Sequence, residues 1–509
     1  MRILIRGAKV LTQDPARPVI DNGAVLVEGE RIVAVDTWET LRKSPGIEQE
    51  WGGEDTWVLP GFVCAHYHHD RVFSMGSTDA PLELWLLRAS GLAAPPAEIE
   101  DEYNYLNTLI SAIQLVRSGV TLSMDMAWPS NHHPVIQAYL DLGLDLIYAP
   151  AMRSQNGYVY EADEKFVATL PAELRKRIDG QGLGLTGVYF PAESYLKTWD
   201  ALKSQYGDRI QLVIAPDGPE WCSETELRLA AKHAAEHGAC LHLHNTESPL
   251  ERQWGLRTRS RTMTGYLDEI GFLGANVSCG HGVWYSEQDV ELLVKHGSVT
   301  VHNPTSNLRL GNGISPVSMY QRAGMTIALG TDGEGLTDRS SFLDEMRLAA
   351  YLQRIPSAVF PAPDPWTRGL SAGTVFEMAT VNGAKAFRRE GIGRLKSGYR
   401  ADMLLLNAQR MAEPYLWPGH DPYAAVLQKA QPDHFDMVIG RGRVLLDKGR
   451  IATVDEETVT RKLQSIYDTI WKKQDGQRQG LVRELEPYFF AFFKPWQKEP
   501  MAFPTPARW

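Results

Sequence analysis

The chain has 509 residues, of which 43% are hydrophobic and 22% charged, values typical of a folded globular protein, which excludes general disorder and a membrane-embedded bundle. Acidic residues number 62 against 52 basic ones, so the formal net charge is −10 and a phosphate backbone would be repelled. We therefore expect no nucleic-acid partner, and without an apolar run of about 18 residues we expect no membrane partner.

The cysteines and the first residues indicate a cytoplasmic location. Cys64, Cys222, Cys240 and Cys279 are few and scattered, and they form neither a CxxC pair nor a disulfide framework. The opening MRILIRGAKVLTQD enters a strand-like pattern at once and lacks the basic flank and apolar core of a secretion signal. We expect a protein of the reducing cytoplasm.

Two β-rich pieces bracket the chain. Residues 2–36 alternate apolar and polar side chains with glycine-containing turns between, which predicts a short meander of strands. The same alternating pattern recurs near the end of the chain, in ADMLLLNAQ and in DMVIGRGRVLLDKGRIATV. We expect residues 1–58 and 386–455 to form one discontinuous β domain.

Between these pieces, residues 59–385 alternate strand-like runs with helix-like stretches such as LNTLISAIQLVRSG and ETELRLAAKHAAEHG. The candidate strands are TWVLPGFVCAHYH, GVTLSMDM, LGLDLIYAPAM, IQLVIAPDG, ACLHLHN, ANVSCGH, SVTVHNP and MTIALGTDG. Eight such strands predict a closed (β/α)8 barrel with its chemistry at the carboxyl ends of the strands. A doubly wound open sheet is the alternative, but it would usually carry a Gly-rich phosphate loop after its first strand, and none is present.

The remaining residues, 456–509, begin with a helical pattern and end in YFFAFFKPWQKEPMAFPTPARW, which is rich in aromatic residues and proline. An exposed aromatic patch of that size is uncommon on a monomer. We predict an arm that packs on its own subunit and also touches a neighbour.

Polar residues occur where the predicted strands end. His66 and His68 are two residues apart in a strand, so their imidazoles point the same way and are able to grip one metal ion. His244 and Glu247 close the fifth strand, where an imidazole for a metal and a carboxylate for acid or base chemistry would lie together. His242 faces the same side as His244, and we expect it to bond to neighbours lower in the barrel instead of binding metal.

Two further strands end in such residues, namely His281 after the sixth and Asp332 after the eighth. Taken singly, each of these positions is an ordinary polar residue. Because the carboxyl ends of barrel strands converge on one mouth, the four strand ends together predict a site.

These segments resemble the amidohydrolase superfamily. The similarity lies in the strand-one signature and in five later blocks, which read PGFVCAHYH, HLHNTE, CGHGVW, VHNPTSNLRLGNGISPV, LGTDGEGLTDRSSFLDEMRLAAYLQR and GRLKSGYRADMLLL. The resemblance extends from residue 1 to about residue 455 and is closest to the branch of cytosine, guanine and adenosine-type deaminases and triazine hydrolases. It implies a (β/α)8 barrel with a small β-sandwich built from both chain ends.

The resemblance also implies roles for these residues. His66, His68, His244 and Asp332 would bind one divalent ion, Zn²⁺ or Fe²⁺, and Glu247, His281 and Asp332 would be catalytic. A two-metal branch uses a carboxylated lysine at the end of the fourth strand, but QLVIAPDG offers no lysine there, so one metal is expected.

A bound divalent ion lowers the pKa of water to about 7, so hydroxide is available without a strong base. In our hypothesis Asp332 takes the proton of that water, Glu247 donates a proton to the ring nitrogen of the substrate, and His281 hydrogen-bonds the attacking oxygen. The expected reaction is the hydrolytic deamination of a compact N-heterocycle. Hydrolysis of an amide, urea or carbamate C–N bond, hydrolytic dechlorination at the same site, and a non-catalytic binding protein are the alternatives.

Residues near the strand ends are candidates for holding a flat ring, namely Tyr67, Trp85, Trp128, Trp284 and Asn303. In deaminases of adenosine-like nucleosides, a segment resembling PLELWL carries a glutamate just before its tryptophan. Here Leu84 precedes Trp85, which favours a free base or an aminotriazine-like heterocycle. We also expect a small-molecule substrate, a homodimer or homotetramer, and a role in a turn for Thr305 and Ser306.

Overall fold

Two sheets and the helices around one of them make up the described parts of this computed structural model, residues 1–69, 80–90, 95–155, 159–181, 192–336, 341–355, 369–472 and 476–496. The strands in chain order are β1 (Arg2–Leu11), β2 (Val19–Glu28), β3 (Arg31–Thr37), β4 (Gln49–Pro60), β5 (Phe62–Cys64), β6 (Tyr67–His68), β7 (Val120–Ala127), β8 (Asp145–Met152), β9 (Gln211–Pro216), β10 (Cys240–Asn245), β11 (Val277–His281), β12 (Val299–His302), β13 (Ile327–Leu329), β14 (Asp332–Gly333), β15 (Met403–Asn407), β16 (Phe435–Gly440), β17 (Arg443–Asp447) and β18 (Arg450–Ile451).

The helices fill the crossovers between these strands and the end of the chain. They are α1 (Trp38–Leu41), α2 (Leu82–Ser90), α3 (Glu100–Arg117), α4 (His133–Leu142), α5 (Asp163–Val167), α6 (Ala172–Gln181), α7 (Ala192–Tyr206), α8 (Glu224–His237), α9 (Pro249–Arg259), α10 (Met263–Glu269), α11 (Glu287–His296), α12 (Pro304–Arg309), α13 (Val317–Arg322), α14 (Phe342–Leu352), α15 (Ala372–Ala379), α16 (Val381–Ala386), α17 (Ala408–Ala412), α18 (Pro422–Lys429), α19 (Glu456–Lys472) and α20 (Gly476–Phe493).

The predicted (β/α)8 barrel is confirmed. Over the residues with described positions, its eight strands are parallel and ordered β5, β7, β8, β9, β10, β11, β12 and β13. The first and last strands meet through a bond from the Ala65 amide to the Leu329 carbonyl, 2.9 Å long, and through the short parallel pair β6 and β14. The carboxyl ends of all these strands therefore open on one face.

Helix α8 shows how the sequence sets the crossover helices. Ser223 and Glu226 form a reciprocal capping box at its start, and Gly238 ends it in the left-handed conformation with φ of 60°. Its buried side chains are Leu227, Ala230 and Ala234, spaced by three and four residues, so that one stripe faces the barrel. Helix α8 corresponds to the predicted stretch ETELRLAAKHAAEHG.

The first predicted strand, TWVLPGFVCAHYH, is divided between the two sheets. Residues up to Pro60 continue β4 in the other sheet, while the barrel strand β5 starts at Phe62. Gly61 separates them, and a Cβ atom there would lie 2.2 Å from the Thr121 hydroxyl oxygen, so only glycine allows this close approach. One continuous apolar run thus contributes a strand to each of two sheets. Hydrophobic periodicity alone does not reveal where the first strand ends and the second begins.

The second sheet is the small β-sandwich predicted from both chain ends. Its described strands are ordered β18, β17, β16, β15, β4, β1, β2 and β3. Strands β1 and β4 are parallel and the other pairs are antiparallel. Buried side chains from early and late strands share one core, for example Ile5, Val25, Met403 and Ile439. The limits at residues 58, 385 and 455 stay predictions.

The arm packs on the barrel as two helices. Helix α19 lies against α3, and α20 lies against α2 and α6. The helical start was predicted, but the first residues of the aromatic segment are also helical, since α20 runs through Pro487 to Phe493. Residues 497–509 lie outside the described residues, and contact with a second subunit stays a prediction. None of the helices described is both long and apolar enough to cross a lipid bilayer.

A buried ion-pair cluster joins the sandwich to the barrel. Arg400, which precedes β15, contacts Asp145 at the start of β8 and donates from Nε to Asp402 Oδ2 at 2.6 Å. The exposed fractions of these three residues are only 8%, 5% and 2%. Arg389 also donates to Asp145, at 2.8 Å. Loss of one partner from such a buried cluster leaves a charged group without compensation.

We expect Arg400→Ala to lower the free energy of unfolding by about 3 to 5 kcal/mol, because it leaves buried carboxylates without their shared cation. Arg410→Ala is the matched control, since Arg410 pairs with Asp433 on the surface, and its cost should stay below about 1 kcal/mol. The urea midpoint, followed by circular dichroism, measures both. Equal midpoints for the two variants would contradict a joining role for Arg400.

Candidate metal centre and active site

The polar side chains predicted from the strand ends meet at the mouth of the barrel. Imidazole Nε2 atoms of His68 and His66 lie 3.3 and 3.6 Å from Asp332 Oδ1. The Nε2 atoms of His68 and His244 are 3.2 Å apart. His281 Nε2 lies 3.7 Å from Asp332 Oδ2, and each of these residues is buried. Side chains from strands that are distant in sequence thus share one centre.

The seam of the barrel brings the first and last strands to this centre. The amide of Asp332 donates to the His66 carbonyl oxygen at 3.1 Å, and Asp332 is paired with Tyr67 in the ladder of β6 and β14. His66 and His68 flank Tyr67, so their side chains point to the side opposite to its ring. The closing of the barrel therefore sets the distance between the histidines and the carboxylate.

The chemistry of this cluster fits a divalent metal ion. The ligand atoms of His66, His68 and Asp332 lie within 4.8 Å of one another, as do those of His66, His244 and His281. Within the described part of the chain, His66 Nε2 is buried and makes no hydrogen bond. Burial lowers the pKa of His66 well below its usual value, which keeps the imidazole neutral with a free lone pair. Imidazoles and a carboxylate suit zinc or iron(II).

The other ring nitrogens of these histidines are held by neighbouring groups. His66 Nδ1 is hydrogen-bonded to His242 Nε2 at 2.8 Å, and His242 Nδ1 to Ser278 Oγ at 2.8 Å. His68 Nδ1 donates to the Met126 carbonyl oxygen at 2.7 Å. Such contacts fix ring orientation and basicity. His242 bonds to its neighbours, as its position in the strand predicted.

His244 has a charged support. Its Nδ1 donates to the Asp217 carbonyl oxygen at 2.8 Å and lies 3.2 Å from Asp217 Oδ1. Burial alone would raise the pKa of Asp217, but the Arg153 guanidinium and His244 outweigh it and bring that pKa to about 2. Arg153 itself stacks on Trp221, with its guanidinium carbon 3.9 Å from the ring centroid. A fixed negative charge therefore lies behind the imidazole.

Glu247 lies beside His281 at the centre, and its surroundings favour the protonated form of its carboxyl group. Burial raises its pKa well above the usual value, and the nearby Glu251 carboxylate raises it further. Its Oε2 is 3.3 Å from His281 Nε2, and its Oε1 accepts a hydrogen bond from Asn312 Nδ2 at 2.8 Å. A protonated carboxyl group in this position is suited to donate its proton to a substrate.

His281 is oriented with its Nε2 toward the centre. Its Nδ1 donates to Asn307 Oδ1 at 3.0 Å, which leaves Nε2 as the acceptor. Burial lowers its pKa to about 4, so the ring is neutral at neutral pH. A neutral imidazole with a fixed tautomer is able to hydrogen-bond an attacking water.

Asp332 stays ionised within the same cluster. Burial by itself would raise the pKa of its carboxyl group, but His281, His68 and the Ser306 hydroxyl lower it below the ordinary value. Ser306 donates to Asp332 Oδ2 at 2.5 Å. We had expected Ser306 to serve only a turn, and the structure corrects this, because α12 aims its hydroxyl at the centre.

Strained backbone occurs at three residues of this site. His281, Asp332 and Thr246 have φ values of 72°, 62° and 55°, in the left-handed region that side chains other than glycine rarely adopt. Such conformations persist where the surrounding structure enforces them. Here they turn the chain sharply at the ends of β11, β13 and β10 and direct the side chains at the mouth.

Three of the predicted substrate-binding residues lie near the cluster. The ring centroid of Trp128 is 4.8 Å from that of His68, and its buried Nε1 makes no hydrogen bond to any described residue. Asn303 Nδ2 lies 3.5 Å from His281 Nδ1. Trp284 donates from Nε1 to the Asn312 carbonyl oxygen at 2.6 Å and so supports the residue that holds Glu247.

The other two predicted residues are not brought to the cluster. Tyr67 is fully buried, and its hydroxyl donates to Glu334 Oε1 at 2.5 Å on the opposite side of the strand. Trp85 packs with Leu82, Leu310 and Leu336 in a small apolar cluster. Their predicted role in substrate binding was inferred from their positions near the strand ends. Sequence position does not give the direction of a side chain.

Sequence reasoning did not assign roles to several supporting residues, namely Arg153, Asp217, Glu251, Asn307 and Asn312. Asp217 ends the predicted fourth strand, so its position was a usable signal. Asn307 lies in α12 and Asn312 in the loop after it, within a segment quoted for its resemblance. Their function depends on tertiary contacts with His281 and Glu247, which no local pattern encodes.

The chain is similar to known proteins over most of its length. The model of the amidohydrolase family matches residues 57–445. The chain is 30% identical over 461 residues to a 5'-deoxyadenosine deaminase of Methanothermobacter thermautotrophicus, and the match covers 90% of this chain and 96% of that protein.

Solved structures share the fold. An adenosine deaminase from Xanthomonas campestris with bound zinc has a TM-score of 0.78 at 22% identity and covers 92% of this chain and 98% of its own. The atrazine chlorohydrolase of Arthrobacter aurescens in complex with zinc has a TM-score of 0.76 at 20% identity and covers 91% and 99%. At these identities the likeness establishes the barrel with its sandwich.

The charged support of His244 generates a prediction. Asp217→Asn keeps the backbone carbonyl that fixes the His244 tautomer but removes the negative charge behind the ring. We expect the affinity for a divalent metal to fall by about 10- to 100-fold. Competition against a metal chelator measures this affinity. An unchanged affinity would mean that the carbonyl oxygen alone supports His244.

Proposed function

The chain belongs to the amidohydrolase family, and from this membership we propose that it is a metal-dependent aminohydrolase that removes an amino group from an N-heterocycle by hydrolysis. The observation that carries the proposal is the position of two carboxyl groups around one centre, where Glu247 Oε2 and Asp332 Oδ2 lie 3.3 and 3.7 Å from His281 Nε2. A hydrolytic deamination needs both a proton donor for the ring and a proton acceptor for water. The two carboxyl groups have opposite pKa shifts that suit these two roles.

We propose His66, His68, His244 and Asp332 as ligands of a single Zn²⁺ or Fe²⁺ ion. A bound divalent ion would supply a water whose pKa is lowered to about 7. The zinc-bound structural relatives favour zinc. Strand β9 presents no lysine, and Asp217 at its end supports His244, which favours one ion over two.

Glu247 is the proposed proton donor. Burial and the nearby Glu251 carboxylate raise its pKa well above the usual value, which favours the protonated form, and the Asn312 amide directs it toward the centre. Donation to the ring nitrogen of the substrate prevents negative charge from building up as the C=N carbon is attacked. When the tetrahedral intermediate breaks down, Asp332 passes the proton it took from water to the departing amino group, which leaves as ammonia, and the remaining hydroxyl proton returns to the Glu247 carboxylate.

Asp332 and His281 handle the water. Asp332 is the proposed acceptor of its proton, since its carboxylate is ionised and is held by Ser306. His281 presents a neutral Nε2 to the same region, with its tautomer fixed by Asn307. These two residues orient the nucleophile and receive charge during the reaction.

The substrate we propose is a compact amino-substituted heterocycle, a free base or an aminotriazine. Leu84 packs in the hydrophobic core next to Trp85, so this position offers no carboxylate for a ribose. A second candidate is a 5'-modified adenine nucleoside, favoured by the named deaminase with 30% identity over most of both chains. Glu83, which precedes Leu84 in the chain, is buried, and its carboxylate accepts hydrogen bonds from Tyr160 and Ser248.

Two further observations support the proposed compartment and the proposed oligomeric state. The cysteines are all unpaired, which supports the cytoplasm as the compartment. Phe490 on α20 is 51% exposed, which supports a homodimer or homotetramer with the arm in the contact.

Glu247→Gln tests the proton donor. The amide fills the same space but has no acidic proton, so we expect turnover to fall by on the order of 10² or more while bound metal is retained. Metal analysis and single-turnover rates on the same preparation separate the two effects. Near-normal turnover would leave Glu247 with a structural role only.

A substrate panel tests the reaction class. Purified enzyme is stripped with chelator, reloaded with Zn²⁺ or Fe²⁺, and assayed for ammonia, alkylamine, chloride and acid release from free bases, aminotriazines, chlorotriazines, 5'-modified adenine nucleosides and simple amides. We expect ammonia release from a heterocycle, abolished by chelation and restored by metal. Chloride release alone would favour dechlorination, the activity named for one structural relative. Full activity without metal would overturn the mechanism.

A further inference from the structure

A second cluster of metal-binding side chains lies on the outside of the barrel. His233 and His237 are one helical turn apart on α8, and Asp200 faces them from α7. His233 Nε2 is 2.8 Å and His237 Nε2 is 3.9 Å from Asp200 Oδ1. The three ligand atoms lie within 4.8 Å of one another. Two helices thus present two imidazoles and a carboxylate to one point.

The spacing of these residues suits chelation. Side chains four residues apart lie on the same face of a helix, so two imidazoles are able to reach one ion without moving the backbone. The rings of His233 and His237 have centroids 4.3 Å apart, at an interplanar angle of 35°. The side chains of His237 and Asp200 are 41% and 48% exposed, so an ion reaches them from solvent.

A buried tryptophan holds the two rings in place. Trp199, the neighbour of Asp200, meets the His233 and His237 rings edge-on at centroid distances of 5.4 and 5.5 Å. It is 1% exposed, and its Nε1 donates to the Val213 carbonyl oxygen in β9 at 3.2 Å. The imidazoles therefore rest on a ring anchored to the barrel, which reduces the ordering cost of binding an ion.

We propose that His233 Nε2, His237 Nε2 and Asp200 Oδ1 form a binding site for a divalent transition metal, with zinc as the reference ion. Three protein ligands and a water give the tetrahedral set that Zn²⁺ prefers, and imidazole also suits nickel and copper. The site is separate from the mouth of the barrel. His237 ends α8, which leads into the amino end of β10, whereas His244 lies at the carboxyl end of that strand.

This position gives the ion a structural role. Helices α7 and α8 flank strand β9 in sequence, and an ion between them would cross-link the two crossovers on either side of it. Binding to the folded chain alone stabilises that state by mass action. No catalytic residue lies in the cluster, so turnover does not depend on its occupancy.

The chain contains a matched control. His296 on α11 meets Asp268 on α10 at 2.6 Å, which is the same kind of contact between two helices. Among the residues whose positions are described, no third metal-binding group joins this pair. His296→Ala thus removes a partly exposed imidazole bonded to an aspartate without removing a chelating set.

Zinc stoichiometry tests the proposal. The full-length enzyme and its variants are dialysed against buffered Zn²⁺, and bound zinc is measured by elemental analysis. Wild type and His296→Ala should each bind one equivalent more than His237→Ala or Asp200→Asn, with the turnover of all four unchanged. Loss of the catalytic ion would lower every count equally, so failure of that centre is distinguishable from failure of this one.

Thermal unfolding supplies an independent readout. Zinc at about 100 times its Kd should lower the unfolding equilibrium constant of wild type and His296→Ala by about 100-fold and raise their melting temperatures. The melting temperatures of His237→Ala and Asp200→Asn should not gain this zinc-dependent increment. Equal zinc counts in wild type and His237→Ala would overturn the proposal and leave the contact between His233 and Asp200 as a simple hydrogen bond between helices.

Discussion

The site depends on the seam where the last barrel strand returns to the first. The Asp332 amide donates to the His66 carbonyl oxygen, so the carboxylate from one end of the barrel is held next to the imidazoles from the other. No local element sets this distance. It results from the closing of a parallel sheet, which requires the intervening strands to complete their circuit. The closing of the barrel therefore determines both the fold and the geometry of the site.

Burial at this seam raises the pKa of both Glu247 and Asp332, and the neighbours of each carboxyl group decide the net direction. The Glu251 carboxylate raises the pKa of Glu247 further, whereas His281, His68 and the Ser306 hydroxyl bring the pKa of Asp332 below its ordinary value. The neutral state of His66 and His281 follows from the same desolvation. Fixed neighbours thus divide the roles of proton donor and proton acceptor between two buried carboxyl groups.

The sequence was sufficient for the barrel, the order of its strands and the approach of the strand-end residues, because each depends on short-range periodicity and on a rule for parallel strands. It was insufficient where one segment serves two environments. The run around Pro60 and Gly61 looked like one strand and belongs to two sheets. Ser306 looked like a turn residue and bonds Asp332. Both depend on contacts with distant segments, which a local pattern does not contain.

Other contacts near Glu247 are of the same long-range kind. Ser248, next to Glu247, donates to Glu83 on α2 at 2.5 Å, and Tyr160 donates to the same carboxylate at 2.9 Å. The Tyr160 ring in turn meets Phe493 of α20 at a centroid distance of 6.0 Å. The terminal helix is thereby connected through a tyrosine and a buried carboxylate to the residue beside the proposed proton donor. Residues of α20 therefore contribute to the surroundings of the proposed proton donor, although none of the barrel motifs contains them.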